Sequence, residues 1–526
     1  MIKKILNSKS KTITSAAVIL GVASLISRFL GLIRDRLLAG KFGAGSELDV
    51  YYAAFRIPDL VYSLLVLGAV SAGFIPVFAD YIKKNRDGKE AWYLTNSVLN
   101  ILVLMLMAAC FILIIWAPFF VRLIAPGFSP EKISLTVDLT RIMFLSPLFL
   151  GISAIFSSVL QSLKRFFVYA LAPIAYNLGI IVGIVFFVDY FGLKGLAWGV
   201  VFGSFLHLLI QLPVVLFCGY RWRPIFDFKF KGVRRVFKMM PPRVLSSVLF
   251  QLNFWIMTVL ASFLTVGSVA VYNLSQNIWS FPVGVFGVSY VLAVFPKLSE
   301  YAQSKKTKDF QKTFFKTASR IMFFTLPATA LFISLKLPIV KVILGVGKFT
   351  QEDILLTSKT LMFFSFSIFA EALILLLMRG FFAFEDAKTP FLVGFLGTIV
   401  RVFSAWYLSR IIGVAGLALG FSFGAFVYLL LLYLLFYKKI LKEFNVFHSR
   451  FLKTSLKVLI ASLVSGVTSY LLLNFLFFYL NGQSLFSAFL QGAIAGLGGL
   501  LIYLFLVWFF KVRELNLLLR KIRFLK

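Results

Sequence analysis

About fourteen apolar runs, each roughly 20 residues or longer, divide nearly all of this 526-residue chain and confine what it can fold into. They fall near 13–40, 48–82, 91–118, 133–162, 168–190, 195–219, 236–264, 267–299, 313–345, 353–384, 389–410, 412–437, 453–479 and 485–511. Lipid offers no partner to a bare backbone N–H or C=O, so runs of this length read as helices that satisfy their own hydrogen bonds. The expected fold is an all-α polytopic membrane protein. Several runs exceed the bilayer thickness, which calls for tilt or a bend.

The net charge of +34 would suit nucleic acid if it were spread over one surface. Instead the cations sit between the apolar runs, on alternate loops: the N-terminal Lys3, Lys4, Lys9 and Lys11, then KKNRDGK at 83–89, RWRPIFDFKFKGVRRVFK at 221–238, KKTKDFQKTFFK at 305–316 and the C-terminal tail. About 38 of the 54 Lys and Arg fall on that side and about 11 on the other. The positive-inside rule puts both termini in the cytoplasm and fits an even number of spans. Nucleic acid is excluded as a partner, and bilayer lipid takes its place. Cys110 and Cys218 fall inside spans, and His207 and His448 lie far apart, so neither a disulfide framework nor a metal site is expected. No Walker, HExxH, GxSxG or kinase signature occurs, which leaves ATP hydrolysis and covalent catalysis without machinery.

An internal repeat appears at a shift of about 220 residues. GLAWGVVFGSF at 195–205 returns as GLALGFSFGAF at 416–426, and FIPVFADY at 74–81 returns as VFPKLSEY at 294–301, with Pro76 over Pro296. A looser pair sets Pro173 over Pro390. The shift equals six spans, so the halves run in the same sense, as in transporters built from parallel repeats. Three parts follow: an N-terminal lobe over 1–220, a C-terminal lobe over 221–440, and residues 441–526 carrying two further spans with a basic tail.

Charge inside the first spans is the functional signal. At about 100° per residue, Arg28, Asp35, Ser24, Gly31, Ser27 and Arg34 share one polar stripe about 120° wide. In the second span Asp49, Tyr52, Arg56, Asp59 and Ser63 recur at threes and fours on one face, and Pro58 is placed to bend it. An arginine in the bilayer interior costs about 3 to 17 kcal/mol and persists only beside a partner or a wet cavity. Two readings follow: an ion-pair network (Arg28 with Asp35, Arg56 with Asp49), or a cationic site formed by Arg28, Arg34 and Arg56 for a diphosphate, which guanidinium binds in a fork. Glu371 and Arg401, in the tenth and eleventh spans, pair with each other, line the cavity, or do neither. Arg141 and Arg243 lie nearer span ends and snorkel.

The stretches SRFLGLIRDRLLAGKFGAG, DVYYAAFRIPDL and GAVSAGFIPVF, with FPVGVFGVSYVLAVFPKLSE and MRGFFAFEDAKTP further on, resemble the MurJ (MviN) lipid II flippases of the multidrug/oligosaccharidyl-lipid/polysaccharide exporter superfamily. The resemblance implies two six-helix lobes around a cationic cavity and a tail groove on spans 13 and 14. It also implies alternating-access export of the undecaprenyl-diphosphate peptidoglycan precursor in the bacterial inner membrane. The family's cavity residues fall on Arg28, Arg34, Asp35 and Arg56, and its loop aspartate on Asp49. Ser27, Asn277, Arg401 and Glu371 are expected to support the cavity. Three positions depart from the family pattern: Leu67 replaces a glutamate, Asn277 an arginine, and Met257 the aspartate of a sodium site. Arg401 is then the candidate to restore the charge missing at Asn277. No cofactor and no obligate protein partner are expected, and the driving force is membrane potential or an ion gradient. The alternatives are another lipid-linked glycan, a drug or cation antiporter of the same fold, a polyprenyl-phosphate enzyme, or a non-transporting scaffold.

Overall fold

A computed structural model describes residues 13–67, 73–84, 88–441, 446–479 and 484–515. Every regular element among them is helical. Among the described residues, ten helices are long and apolar enough to cross a membrane, from Lys89–Ile115 to Leu485–Phe509. An eleventh span forms if Gln351–Ser365 and Ile368–Ala383, which meet at a 40° bend, are taken together. The remaining stretches expected to span are also helical: Ile13–Phe42, a broken run beginning at Ser46, and Pro241–Ser262. The chain packs as two compact units, Met1–Val269 and Ala270–Lys526.

In the first unit the opening helix stops at Gly43, whose φ of 67° is the left-handed conformation that ends helices. The second span breaks as Pro58 requires. Ser46–Ala54 ends, Phe55 intervenes, and Arg56–Val61 resumes, because the proline ring displaces the carbonyl four residues back. It then widens into a π-helical turn at Tyr62–Leu67. The second unit has a π-helical turn about 220 residues on, Val283–Val288, between Ser268–Pro282 and Ser289–Gln303. So the repeat extends to backbone irregularities, of the kind found at functional positions in helices.

The glycines of the repeated motif explain its recurrence. A Cβ on Gly179 would meet the Gly203 Cα at 2.3 Å, and one on Gly183 the Gly199 Cα at 2.3 Å. In the second unit a Cβ on Gly420 would fall 2.3 Å from the Ala405 N, and one on Gly424 2.8 Å from the Arg401 Cα. Each motif lets two helices touch backbone to backbone, which is how spans associate where the hydrophobic effect gives no help.

Two short helices that directly follow spans were not anticipated: Ala117–Ile124, after Lys89–Ile115, and Lys336–Leu344, after Thr307–Ser334. Their sequences, APFFVRLI and KLPIVKVIL, extend the preceding apolar runs, so hydropathy merges them with the spans. A proline in the first turn of each, Pro118 or Pro338, starts a new helix. Each is followed by a helix capped by a hydroxyl: Ser129 Oγ accepts from the Lys132 N–H, and Thr350 Oγ1 from the Asp353 N–H.

Between the sixth and seventh spans, residues 221–230 are tied to the start of Lys89–Ile115. Asn96 donates to the Arg221 carbonyl at 3.0 Å and Asn100 to that of Arg223 at 2.7 Å. Asp227 accepts from the Tyr93 hydroxyl at 3.0 Å and from the backbone N–H groups of Lys229 and Phe230. The Tyr93 bond foremost holds the Asp227 carboxyl below the usual carboxylate range.

Candidate functional site

The stripe on the first helix is half-buried and packs against the fifth span, Phe166–Phe191. Arg34 donates from Nε and Nη2 to Asp35 Oδ1 at 3.0 and 2.8 Å, a two-pronged ion pair with Asp35 almost fully buried. Its Nη1 reaches Asn177 Oδ1 at 3.4 Å, while the Asn177 amide donates to the Ser27 carbonyl and Oγ and to the Pro173 carbonyl. Ser27, Arg34 and Asp35 thus form one network through Asn177. Gly31 lies between them, and a Cβ there would stand 4.0 Å from Asn177 Oδ1. Asn177 is absent from the sequence-based site, though a lone asparagine in APIAYNLGII is the signal that could have shown it.

Arg28 differs. It is half-buried on the same stripe, about 9 Å along the axis from Arg34, and forms no hydrogen bond or ion pair with any described residue. Asp35 is held by Arg34, not by Arg28, which corrects the pairing weighed for the ion-pair network.

Arg56 opens the second segment of the broken span, where the break turns it toward the seventh-span helix Pro241–Ser262. Its Nε donates to Thr258 Oγ1 at 2.8 Å, its guanidinium lies 5.6 Å from the centre of the Phe254 ring, and its carbonyl accepts from Trp255 Nε1. Tyr52, one helical turn earlier, stands within electrostatic range of Arg34, Asp35 and Arg56. Its hydroxyl is buried without a hydrogen-bond partner among the described residues. Charged groups of the two spans therefore lie within electrostatic reach of one tyrosine whose hydroxyl has no hydrogen-bond partner among the described residues. Tyr51 and Tyr176 also act electrostatically on Arg34 or are acted on by it.

Asp49 sits apart, buried at the charge-poor face. Its Oδ2 accepts from Lys132 Nζ at 2.9 Å and from the Gly267 N–H at 2.8 Å, tying together the starts of the second and fourth spans and the loop after the seventh. Gly267 has a φ of 90°, and a Cβ on it would run into the Ala44 carbonyl at 1.8 Å. Met257 is buried in the seventh-span helix. The Leu67 side chain lies outside the described residues, as does that of Arg243. Arg141 is exposed, as a snorkelling residue should be, and donates to the Ile114 carbonyl.

In the second unit Arg401 pairs with Glu371 through Nη2 and Oε1, with its guanidinium 4.3 Å from the centre of the Phe421 ring. Its stem fills the space beside Gly424. Of the readings of these residues, the structure takes the ion pair, and Arg401's positive charge is met by Glu371. Asn277 is half-buried in Ser268–Pro282, and its carbonyl accepts from the Ser280 hydroxyl.

Comparison with known proteins decides the family. Residues 38–489 match the family model of the lipid II flippase MurJ. The chain belongs to the MurJ lipid II flippase family. A probable lipid II flippase MurJ of Buchnera aphidicola subsp. Schizaphis graminum is 30% identical over 513 residues, 96% of this chain and 98% of that relative. The lipid II flippase MurJ of Burkholderia cenocepacia is 30% identical over 423 residues, 78% and 81% of the two chains. Among solved structures, a lipid II flippase MurJ in an inward closed conformation superposes with a TM-score of 0.78 at 26% identity, covering 94% of this chain and 98% of that one. An inward-facing multidrug transporter of the MATE family shares the fold, with a TM-score of 0.67 at 14% identity over 81% of this chain.

Proposed function

We propose that this chain is a bacterial inner-membrane flippase that carries the peptidoglycan precursor lipid II from the cytoplasmic to the outer leaflet by alternating access, with both termini cytoplasmic. Family membership over residues 38–489 supports the activity. The observation that carries the site is the unequal state of the arginines. Arg34 is anchored by Asp35 and Asn177, Arg56 by Thr258, and Arg28 lies on the same stripe with its donors uncommitted.

That arrangement suits a diphosphate. Arg34 and Arg56 are held in place and give up little side-chain freedom on binding. Arg28 supplies a full charge with no partner to displace among the described residues. The Tyr52 hydroxyl adds a neutral donor. Ser27, Asp35 and Asn177 position the guanidinium of Arg34, Asp49 braces the charge-poor end of the unit, and the Glu371–Arg401 pair is a neutral brace in the second unit. The diphosphate is met chiefly by the first two spans. The saccharide-peptide headgroup is carried across while the polyprenyl tail remains in lipid, and membrane potential or an ion gradient drives the cycle.

The test is complementation in a bacterium depleted of its own lipid II flippase. Arg28→Ala, Arg34→Ala and Arg56→Ala, each expressed at the parent's level, should fail to restore growth and shape. Full rescue by all three would end the diphosphate reading.

A further inference from the structure

A second concentration of cationic side chains lies far along the chain from the arginine stripe, within the second unit. The start of the ninth span (Thr307–Ser334), the start of the thirteenth (Val446–Tyr479) and the residues after the fourteenth (Leu485–Phe509) surround a cavity of about 640 Å³. Seven basic side chains line it, Lys312, Lys316, Arg450, Lys453, Lys457, Lys511 and Arg513, against one acid, Glu514. None of the seven forms an ion pair with a described residue. Lys457 donates to the Phe510 carbonyl at 2.8 Å, an uncharged acceptor. Lys312, Arg320 and Arg513 act on Lys316 as like charges, and Glu514 is the one opposing group. Glu514 itself is buried, with Oε2 lacking a hydrogen-bond partner among the described residues. Such a concentration of cations repels itself, and a bound anion relieves the repulsion.

Beneath this mouth lies an apolar slot of about 470 Å³, walled by Phe314, Met322, Leu373, Leu377, Phe426 and Leu430 among others. The two spaces share Phe315 and Phe451, whose ring centres lie 5.5 Å apart. Cations, the hydroxyls of Ser319, Ser449 and Thr454, and an apolar slot therefore follow one another in order.

We propose that mouth and slot together are a binding site for an anionic phospholipid of the cytoplasmic leaflet, its phosphate among the lysines and arginines and an acyl chain in the slot. A free phosphate would leave the slot empty, and a zwitterionic lipid would leave the cation excess uncompensated. The anionic lipids of that leaflet are attracted by clustered Lys and Arg at the membrane surface. The bound lipid ties the thirteenth and fourteenth spans to the ninth.

Native mass spectrometry of the full-length protein with phosphatidylglycerol or phosphatidylcholine reads this out. Phosphatidylglycerol should be retained about tenfold better, given several charges near the phosphate. Lys316→Gln/Lys453→Gln/Arg513→Gln should reduce its retention to the phosphatidylcholine level, and Leu377→Trp should weaken it by filling the slot. If the triple variant does not fold, the single changes Lys453→Gln and Lys511→Gln, at exposed positions, should each lower retention several-fold. Equal retention of the two lipids overturns the proposal, as does unchanged retention in the folded triple variant. So does inorganic phosphate stabilising the protein as well as phosphatidylglycerol, which makes the mouth an ion site. A triple variant that loses undecaprenyl diphosphate but keeps phosphatidylglycerol also overturns it, assigning the site to the polyprenyl tail.

Discussion

At the scale of single residues, the charged side chains of this protein divide into those that are used up and those that are not. Arg34 and Arg401 each have a carboxylate partner, whereas Arg28 has none among the described residues. Arg34→Ala leaves Asp35 buried without its two-pronged partner, so both transport and thermal stability should fall. Arg28→Ala removes no contact of this kind. Its stability should stay within about 0.5 kcal/mol of the parent, as for a substitution that breaks nothing, while transport is lost. Breaking a buried pair costs about 3–5 kcal/mol, but replacing both partners with apolar groups is often neutral. Glu371→Leu alone should therefore lower the Tm, and Glu371→Leu with Arg401→Met should recover it. Failure of the double variant to recover would show that Arg401 acts through more than its partner. These charged residues were legible in the sequence because an ionisable group stands out in an apolar run. Their pairing was not. Arg28 and Arg34 both share the stripe with Asp35, and the choice rests on Asn177 of another span, which steadies Arg34.

At the scale of elements, the repeated glycine motif is the part of the fold most exposed to substitution. Overpacking a close contact costs about 1–3 kcal/mol and more where backbone must move. Gly420→Leu, facing the Ala405 backbone at 2.3 Å, should sharply reduce the melting temperature in detergent. The same change at Gly21, which has nothing within 4 Å, should not. The motif was readable as a repeat, but its purpose appears only once facing helices are in place. The two lateral helices escaped notice for the opposite reason, since their residues are as apolar as the spans they follow. The break at Pro58 was legible because proline acts locally. A latch of another kind holds residues 221–230, where Tyr93 keeps the Asp227 carboxyl below its ordinary value. Its contribution is present above the ordinary carboxylate pKa, near 4, and is lost as pH falls through the lowered value. Tyr93→Phe should move that loss to higher pH, seen as earlier proteolysis of the loop on acidification.

For the whole molecule, the expected number and sense of the spans rest on hydropathy and loop charge, which depend on the bilayer and not on any partner residue. Cysteine labelling in intact cells, in a Cys110→Ala/Cys218→Ala background, checks the sense directly. A cysteine replacing Phe228 should be shielded from an impermeant reagent, and one replacing Phe263 should react. The opposite pattern would invert the topology. Transport itself is a property of the complete chain. Its most direct measurement is the transfer of fluorescent lipid II between leaflets of liposomes containing the purified protein, parent beside Arg28→Ala. The proposed diphosphate site on the first two spans predicts transfer by the parent and its near-complete loss in a folded variant of unchanged Tm. Transfer by Arg28→Ala at the parent's rate would contradict it.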